Sequence, residues 1–160
     1  MDDIASEDFE HLLAGTRLFE GISPKGLKLV ASIAKKESVS HGSTIFREGD
    51  AGDTVCLIIE GKVRISTQVS GMGEEALAVL GPGSVFGEMS LIDDFPRSAD
   101  AHAHTDCLLL ILKKDELEDL LFVHKDLAYE FLWNFVALLS SRLRETNAKV
   151  TFLSMSGKFQ

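Results

Sequence analysis

The chain has 160 residues, 45% of them hydrophobic and 26% charged, with a formal net charge of −9 when His is taken as neutral. This is the size and composition of a single globular domain with a real core, which excludes disordered and fibrous chains. So acidic a surface is poorly suited to coating DNA or an anionic membrane, so neither nucleic acid nor membrane is expected as a partner, though a local basic site for a small anion is compatible with it.

The first residues, Met1-Asp2-Asp3-Ile4-Ala5-Ser6, lack the basic and apolar regions of a secretory leader, and no run approaches a membrane span. A cytoplasmic location is expected. Cys56 and Cys107 each sit inside an apolar run and read as buried, reduced thiols without metal-type spacing.

Residues 4–36 are helix-like. Phe9, Leu12 and Leu13 form one apolar face. Ser23-Pro24 is a helix start, followed by a second face of Leu27, Val30, Ala31 and Ile33. Residues 37–113 change to short Val-, Ile-, Thr- and Phe-rich runs punctuated by glycine, the pattern of a sandwich or jelly roll. Within it, Val55–Ile59 and Val63–Ser66 around Glu60-Gly61-Lys62 read as a hairpin. Residues 115–122 form a short helix and residues 126–153 a long one, about 42 Å at the usual rise. Residues 154–160 read as a tail. The expected fold is mainly β with flanking helices: one domain over 1–160, a double-stranded β-helix over 37–113, and a C-terminal dimerisation helix over 126–153.

The long helix places Leu132, Val136, Leu139, Leu143, Thr146, Val150 and Leu153 at alternating steps of four and three. A helix of that length outruns a small β core, so a homodimer through Leu132, Val136, Leu139, Leu143 and Val150 is expected.

The chemistry is concentrated in residues 81–101. Gly87 and its neighbours suit a tight turn whose backbone N–H groups meet an anion. Glu88 stands beside that turn, where a carboxylate is tolerable if it accepts from hydroxyls such as those of a ribose. Arg97 offers a planar fork of donors to a phosphate and Ser98 adds a hydroxyl. Together these describe a pocket for a singly charged sugar phosphate. Asp50 and Asp53 read as turn formers. His102 and His104 share one strand face, as a metal site would need, but lack further ligands at suitable spacing; no metal is expected.

Phe86-Gly87-Glu88-Met89-Ser90-Leu91-Ile92 followed by Pro96-Arg97-Ser98-Ala99 resembles the phosphate-binding cassette of cyclic nucleotide-binding domains, of the catabolite activator and protein kinase A regulatory type. Glu48-Gly49-Asp50-Ala51-Gly52-Asp53, then Gly61-Lys62-Val63, resembles the glycine pattern of the same family, and Leu18-Phe19-Glu20-Gly21 its helical entry. The resemblance covers residues 15–153. It implies that Glu88 accepts from the ribose 2′-hydroxyl and that Arg97 pairs with the cyclic phosphate. The rest of the cassette, Phe86, Gly87, Met89, Ser90, Ser98 and Ala99, would form the shell. It also implies that Ile65 and Leu77 lie near the ligand, and that Thr146, Asn147 and Arg142 meet the base, one of them from the second protomer.

The expected ligand is cyclic AMP, with cyclic GMP compatible. No catalysis is expected, since no nucleophile elbow, phosphate loop or metalloprotease motif is present. The expected role is a dimeric receptor that signals to an unidentified protein effector, acting as a stand-alone chain without a DNA-binding domain. The alternatives are a truncated DNA-binding regulator of the same family and a ligand-independent scaffold.

Overall fold

The computed structural model describes residues 6–157. The chain opens with helix α1 (Ser6–Ala14) and helix α2 (Pro24–Ala31); residues 4 and 5 of the expected first helix lie outside the described residues. Ser23 caps α2, its hydroxyl accepting from the Gly26 amide at 3.3 Å, and Pro24 occupies the first turn, where its missing N–H has no intrahelical partner to lose.

Eight strands follow: β1 (Lys35–Val39), β2 (Thr44–Phe46), β3 (Thr54–Glu60), β4 (Val63–Val69), β5 (Gly73–Leu80), β6 (Val85–Phe86), β7 (Asp100–Ala103) and β8 (Cys107–Lys113). They form two antiparallel four-stranded sheets, ordered β1-β8-β3-β6 and β2-β7-β4-β5. This is the jelly roll expected from the short, glycine-punctuated runs. Its first strand begins at Lys35, slightly ahead of the expected boundary.

The apolar run of β3 is buried on both faces. Val55 and Leu57 join a core with α1, α2 and the C-terminal helices, whereas Cys56 and Ile58 face the roll interior with Val63, Phe86, Ala101 and Leu109. Strand β8 alternates in the same way, Leu110 and Leu112 toward the helices and Cys107 and Leu109 inward. The period of two thus divides one sheet between two cores. Both cysteines are buried free thiols.

The expected hairpin between β3 and β4 is not formed. β3 is flanked by β8 and β6, while β4 pairs with β5 and β7 in the other sheet. Glu60-Gly61-Lys62 is a corner through which the chain changes sheets, with Gly61 at φ 86° and the Lys62 carbonyl accepting from the His104 amide at 2.9 Å. A glycine turn between two apolar runs has the same local chemistry in a hairpin and in a corner; the demand for partners on both edges of a buried strand decides between them. The true hairpin is β4–β5, with a register shift after Ile65.

Helix α3 (Lys114–Val123) leads into α4 (Lys125–Gly157). Residues 154–157, expected as tail, continue the helix, and the end of the chain lies outside the described residues. Leu127, Phe131, Phe135 and Leu138 bury one face of α4 against the helical core, with Phe131 stacked on Phe135 and tilted against Phe19. From Leu143 to Gly157 every side chain is exposed. No helix among the described residues is long and apolar enough to cross a membrane.

Candidate functional site

The segment between β6 and β7 builds the site. Gly87, at φ 77°, ends β6 and starts a 3₁₀ turn over Glu88–Leu91. Such a turn leaves its first amides without partners inside the turn. A Cβ at position 87 would lie 2.7 Å from Arg97 Nη1 and 3.2 Å from the Thr54 carbonyl, so glycine serves both the dihedral and the approach of the guanidinium.

Arg97 is 4% exposed and Glu88 3%. Arg97 Nη1 donates to the Gly87 carbonyl at 3.1 Å and Nη2 to Thr54 Oγ1 at 2.8 Å, while its Nε is buried without a partner. Its guanidinium stacks 4.1 Å from the Phe46 ring centroid. Burial pushes its pKa down from the usual arginine value, opposed by Cys56, Asp53 and Asp50. A buried cation without a carboxylate partner is an electrostatic demand for an anion.

Glu88 is paired with Arg142 of α4, which also donates to the Val85 carbonyl. Burial lowers the Arg142 pKa and Arg17 lowers it further, while Glu145 opposes them. The C-terminal helix is therefore tied to the cassette through the carboxylate expected to hold a ribose. Arg142, expected at a base edge, is engaged with Glu88 instead.

A cavity of about 330 Å³ is enclosed by the cassette, the β4–β5 hairpin and α4. Of the expected site residues, Phe86, Gly87, Glu88, Met89, Ser90, Arg97, Ser98, Ala99, Ile65, Leu77, Arg142 and Thr146 all line it. Asn147 does not, because the cavity-facing residues of α4 are Arg142, Glu145, Thr146 and Lys149, one helical face from which Asn147 is turned away. Thr146 lines this cavity while Asn147 is exposed on α4. Phe46, Ala78, Leu80, Glu145 and Lys149 complete the lining and were not anticipated from the sequence. Glu145 and Lys149 follow from Arg142 at helical spacing, a signal the sequence did carry. Leu77 and Ala78 are neighbours in the chain yet both reach the cavity, since the register shift pairs Ile65 with Ala78 and Ser66 with Ala76, leaving Leu77 unpaired.

Other expected polar positions serve the loops. Asp50 Oδ2 accepts from the Arg47 amide at 2.9 Å, and the Asp53 carbonyl accepts from the Lys114 amide at 2.9 Å. His102 lies 3.2 Å from Thr44 Oγ1, and among the described residues no three metal-ligating side chains gather. A larger groove of about 620 Å³ between α2 and the start of α4 mixes Lys25, His124 and Lys125 with Asp126 and Glu130. None of these groove charges is buried, in contrast to Arg97 and Glu88.

Residues 36–124 match the family model of the cyclic nucleotide-binding domain. A relative described as "Cyclic AMP receptor protein" from Thermus thermophilus is 38% identical over 142 residues, 89% of this chain and 64% of that one. The chain therefore spans a little under two thirds of that relative's length. The crystal structure of the Thermus thermophilus catabolite activator protein superposes with a TM-score of 0.76 at 37% identity, over 87% of this chain and 63% of that one. The regulatory domain of Toxoplasma gondii PKA, solved with cAMP, superposes with a TM-score of 0.67 at 28% identity, over 75% and 46%. A matching family model over more than half the sequence, the same two-sheet roll and a cassette built on Gly87, Glu88 and Arg97 lead to one assignment: the chain belongs to the cyclic nucleotide-binding domain family.

Proposed function

We propose that this chain is a receptor for cyclic AMP. The observation that carries the reading is the convergence of buried Arg97 and buried Glu88 on a single cavity. Arg97 supplies the cation for the cyclic phosphate, helped by the Ser98 hydroxyl and the amides of the Glu88–Leu91 turn. Glu88 accepts from the ribose 2′-hydroxyl while Arg142 holds its other oxygen. Ile65, Leu77, Leu80 and Phe46 form apolar walls, and Thr146 meets the base. The likeness to the Thermus cyclic AMP receptor protein and to the kinase regulatory domain solved with cAMP supports cyclic AMP over cyclic GMP.

The exposed stripe of Leu132, Val136, Leu143 and Val150 supports a homodimer along α4. In it Asn147, turned away from its own cavity, reaches the second protomer. Nucleotide shifts the population toward a state in which cassette and helix are drawn together, and a protein effector reads that change. The domain binds rather than catalyses, and it works in the cytoplasm.

A ligand-independent scaffold is the second reading, favoured by one observation: Glu88 already has a partner in Arg142. Calorimetric titration of nucleotide-stripped protein separates the two. Micromolar or tighter binding of cyclic AMP is expected. Arg97→Ala removes a charge-assisted contact of about 2–5 kcal/mol, a loss of roughly thirty- to several-thousand-fold. Tighter binding of cyclic GMP would change the ligand, and absence of heat with both nucleotides would leave the scaffold.

A further inference from the structure

The cassette has a second face. Met89, Ile92 and Phe95 are 56, 63 and 74% exposed on the loop between Glu88 and Arg97. Met89 and Phe95 meet at one groove, and an apolar pair held in water there marks a contact surface. Phe95 separates two shallow grooves of about 510 and 520 Å³. Glu48 and Asp93 line the first; Asp53, Asp94, Asp115 and Glu118 line the second. The cations nearby do not balance them. Of the cations lining the grooves, Lys114 is bound to Asp94 at 3.2 Å and to the Asp93 carbonyl at 3.1 Å, Arg97 is buried, and only Lys113 is exposed.

We propose that this face docks a basic amphipathic segment of a protein partner, whose apolar residues seat beside Phe95 and whose Lys or Arg side chains meet the flanking carboxylates. Charge complementarity selects this occupant: the same carboxylates repel an anionic lipid surface and the equally acidic face of a second copy. The surface is also joined to the cavity. Met89, Ser90, Arg97 and Ser98 line both the cavity and the first groove, so a phosphate drawn to Arg97 and a partner seated on Phe95 share one wall. This coupling rests on the receptor reading; the docking surface does not.

The test uses the full chain and a synthetic amphipathic helix of leucine and lysine, with a leucine–glutamate helix as its charge-reversed control. Fluorescence anisotropy reads affinity as salt is varied. Phe95→Ser, at an exposed position that leaves the core intact, is expected to weaken binding at least about tenfold. Glu118→Gln is expected to weaken it and lower the salt dependence, while Glu75→Gln on β5 leaves it unchanged. Equal affinity of wild type and Phe95→Ser, equal binding of the glutamate helix, or stronger binding to phosphatidylserine vesicles overturns the proposal. If cyclic AMP binds, it should shift peptide affinity at least about threefold, and no shift overturns the coupling. If cyclic AMP fails to bind while peptide affinity still depends on Phe95, the receptor reading falls and the docking surface stands.

Discussion

Arg142 connects the two halves of the site. It occupies Glu88, a carboxylate that is almost fully buried and would be costly if left alone. Arg142→Ala is therefore expected to destabilise the chain by roughly 1.5–3 kcal/mol, the range for a hydrogen bond to a charged group. Adding Glu88→Gln should recover part of that loss. Urea melts of both variants check this, and an additive second loss would mean that the pair is not coupled. Cys56 gives a second residue-scale expectation. Burial pushes its thiol from 9.0 up to about 12, with Arg97 and Thr54 opposing. The unfolded thiol ionises first as pH rises, so its contribution to stability is complete below about pH 9 and is lost above it. At pH 10.5 the loss is about 2 kcal/mol. The fall in urea-unfolding free energy between pH 8 and 10.5 should be smaller by that amount in Cys56→Ala. At this scale the sequence was highly informative. One contiguous stretch carries Gly87, Glu88, Arg97 and Ser98, and their chemistry is local. The sequence was less informative on α4, where Asn147 does not line its own chain's cavity and Glu145 and Lys149, not anticipated, do.

Among the elements, the corner at Gly61 carries the chain from one sheet to the other. Its φ is 86°, and a Cβ there would come within 2.1 Å of the Asp106 carbonyl oxygen. Gly61→Ala is expected to cost roughly 1–3 kcal/mol from the dihedral alone, with the close approach adding to it. A thermal melt within experimental error of wild type would contradict this account. The β4–β5 hairpin shows the converse. Its register shift after Ile65 carries no sequence signal as plain as a glycine, yet it brings Leu77 and Ala78 together on the cavity.

For the whole molecule the main feature is the far half of α4. The described helix is about 50 Å long at the usual rise, and every side chain of its last turns is exposed. Leu143 and Val150 are exposed there, with Phe152, Leu153 and Met155 beyond. Leu139, expected in the same stripe, packs partly on the chain's own core. Isolated helix ends are marginal in water, so a second copy is the economical partner. Leu143→Asp combined with Val150→Asp should give a monomer by light-scattering chromatography at concentrations where wild type is a dimer. The wild-type melting temperature, unlike the variant's, should rise with concentration. A monomeric wild type would remove the dimer from the proposed mechanism.

The sequence by itself determined the order of helix, roll and helix, because hydrophobic periodicity is local. It also determined that Gly87, Glu88 and Arg97 would gather at one site, because glycine, carboxylate and arginine lie within one stretch of chain. Only the tertiary structure decided that β3 and β4 belong to different sheets, that Arg142 holds Glu88, and that the cassette turns an acid-rimmed apolar face outward. Each of these depends on which distant segments meet, and that is set by the closing of the roll and the return of α4 across it, not by the spacing of neighbouring residues.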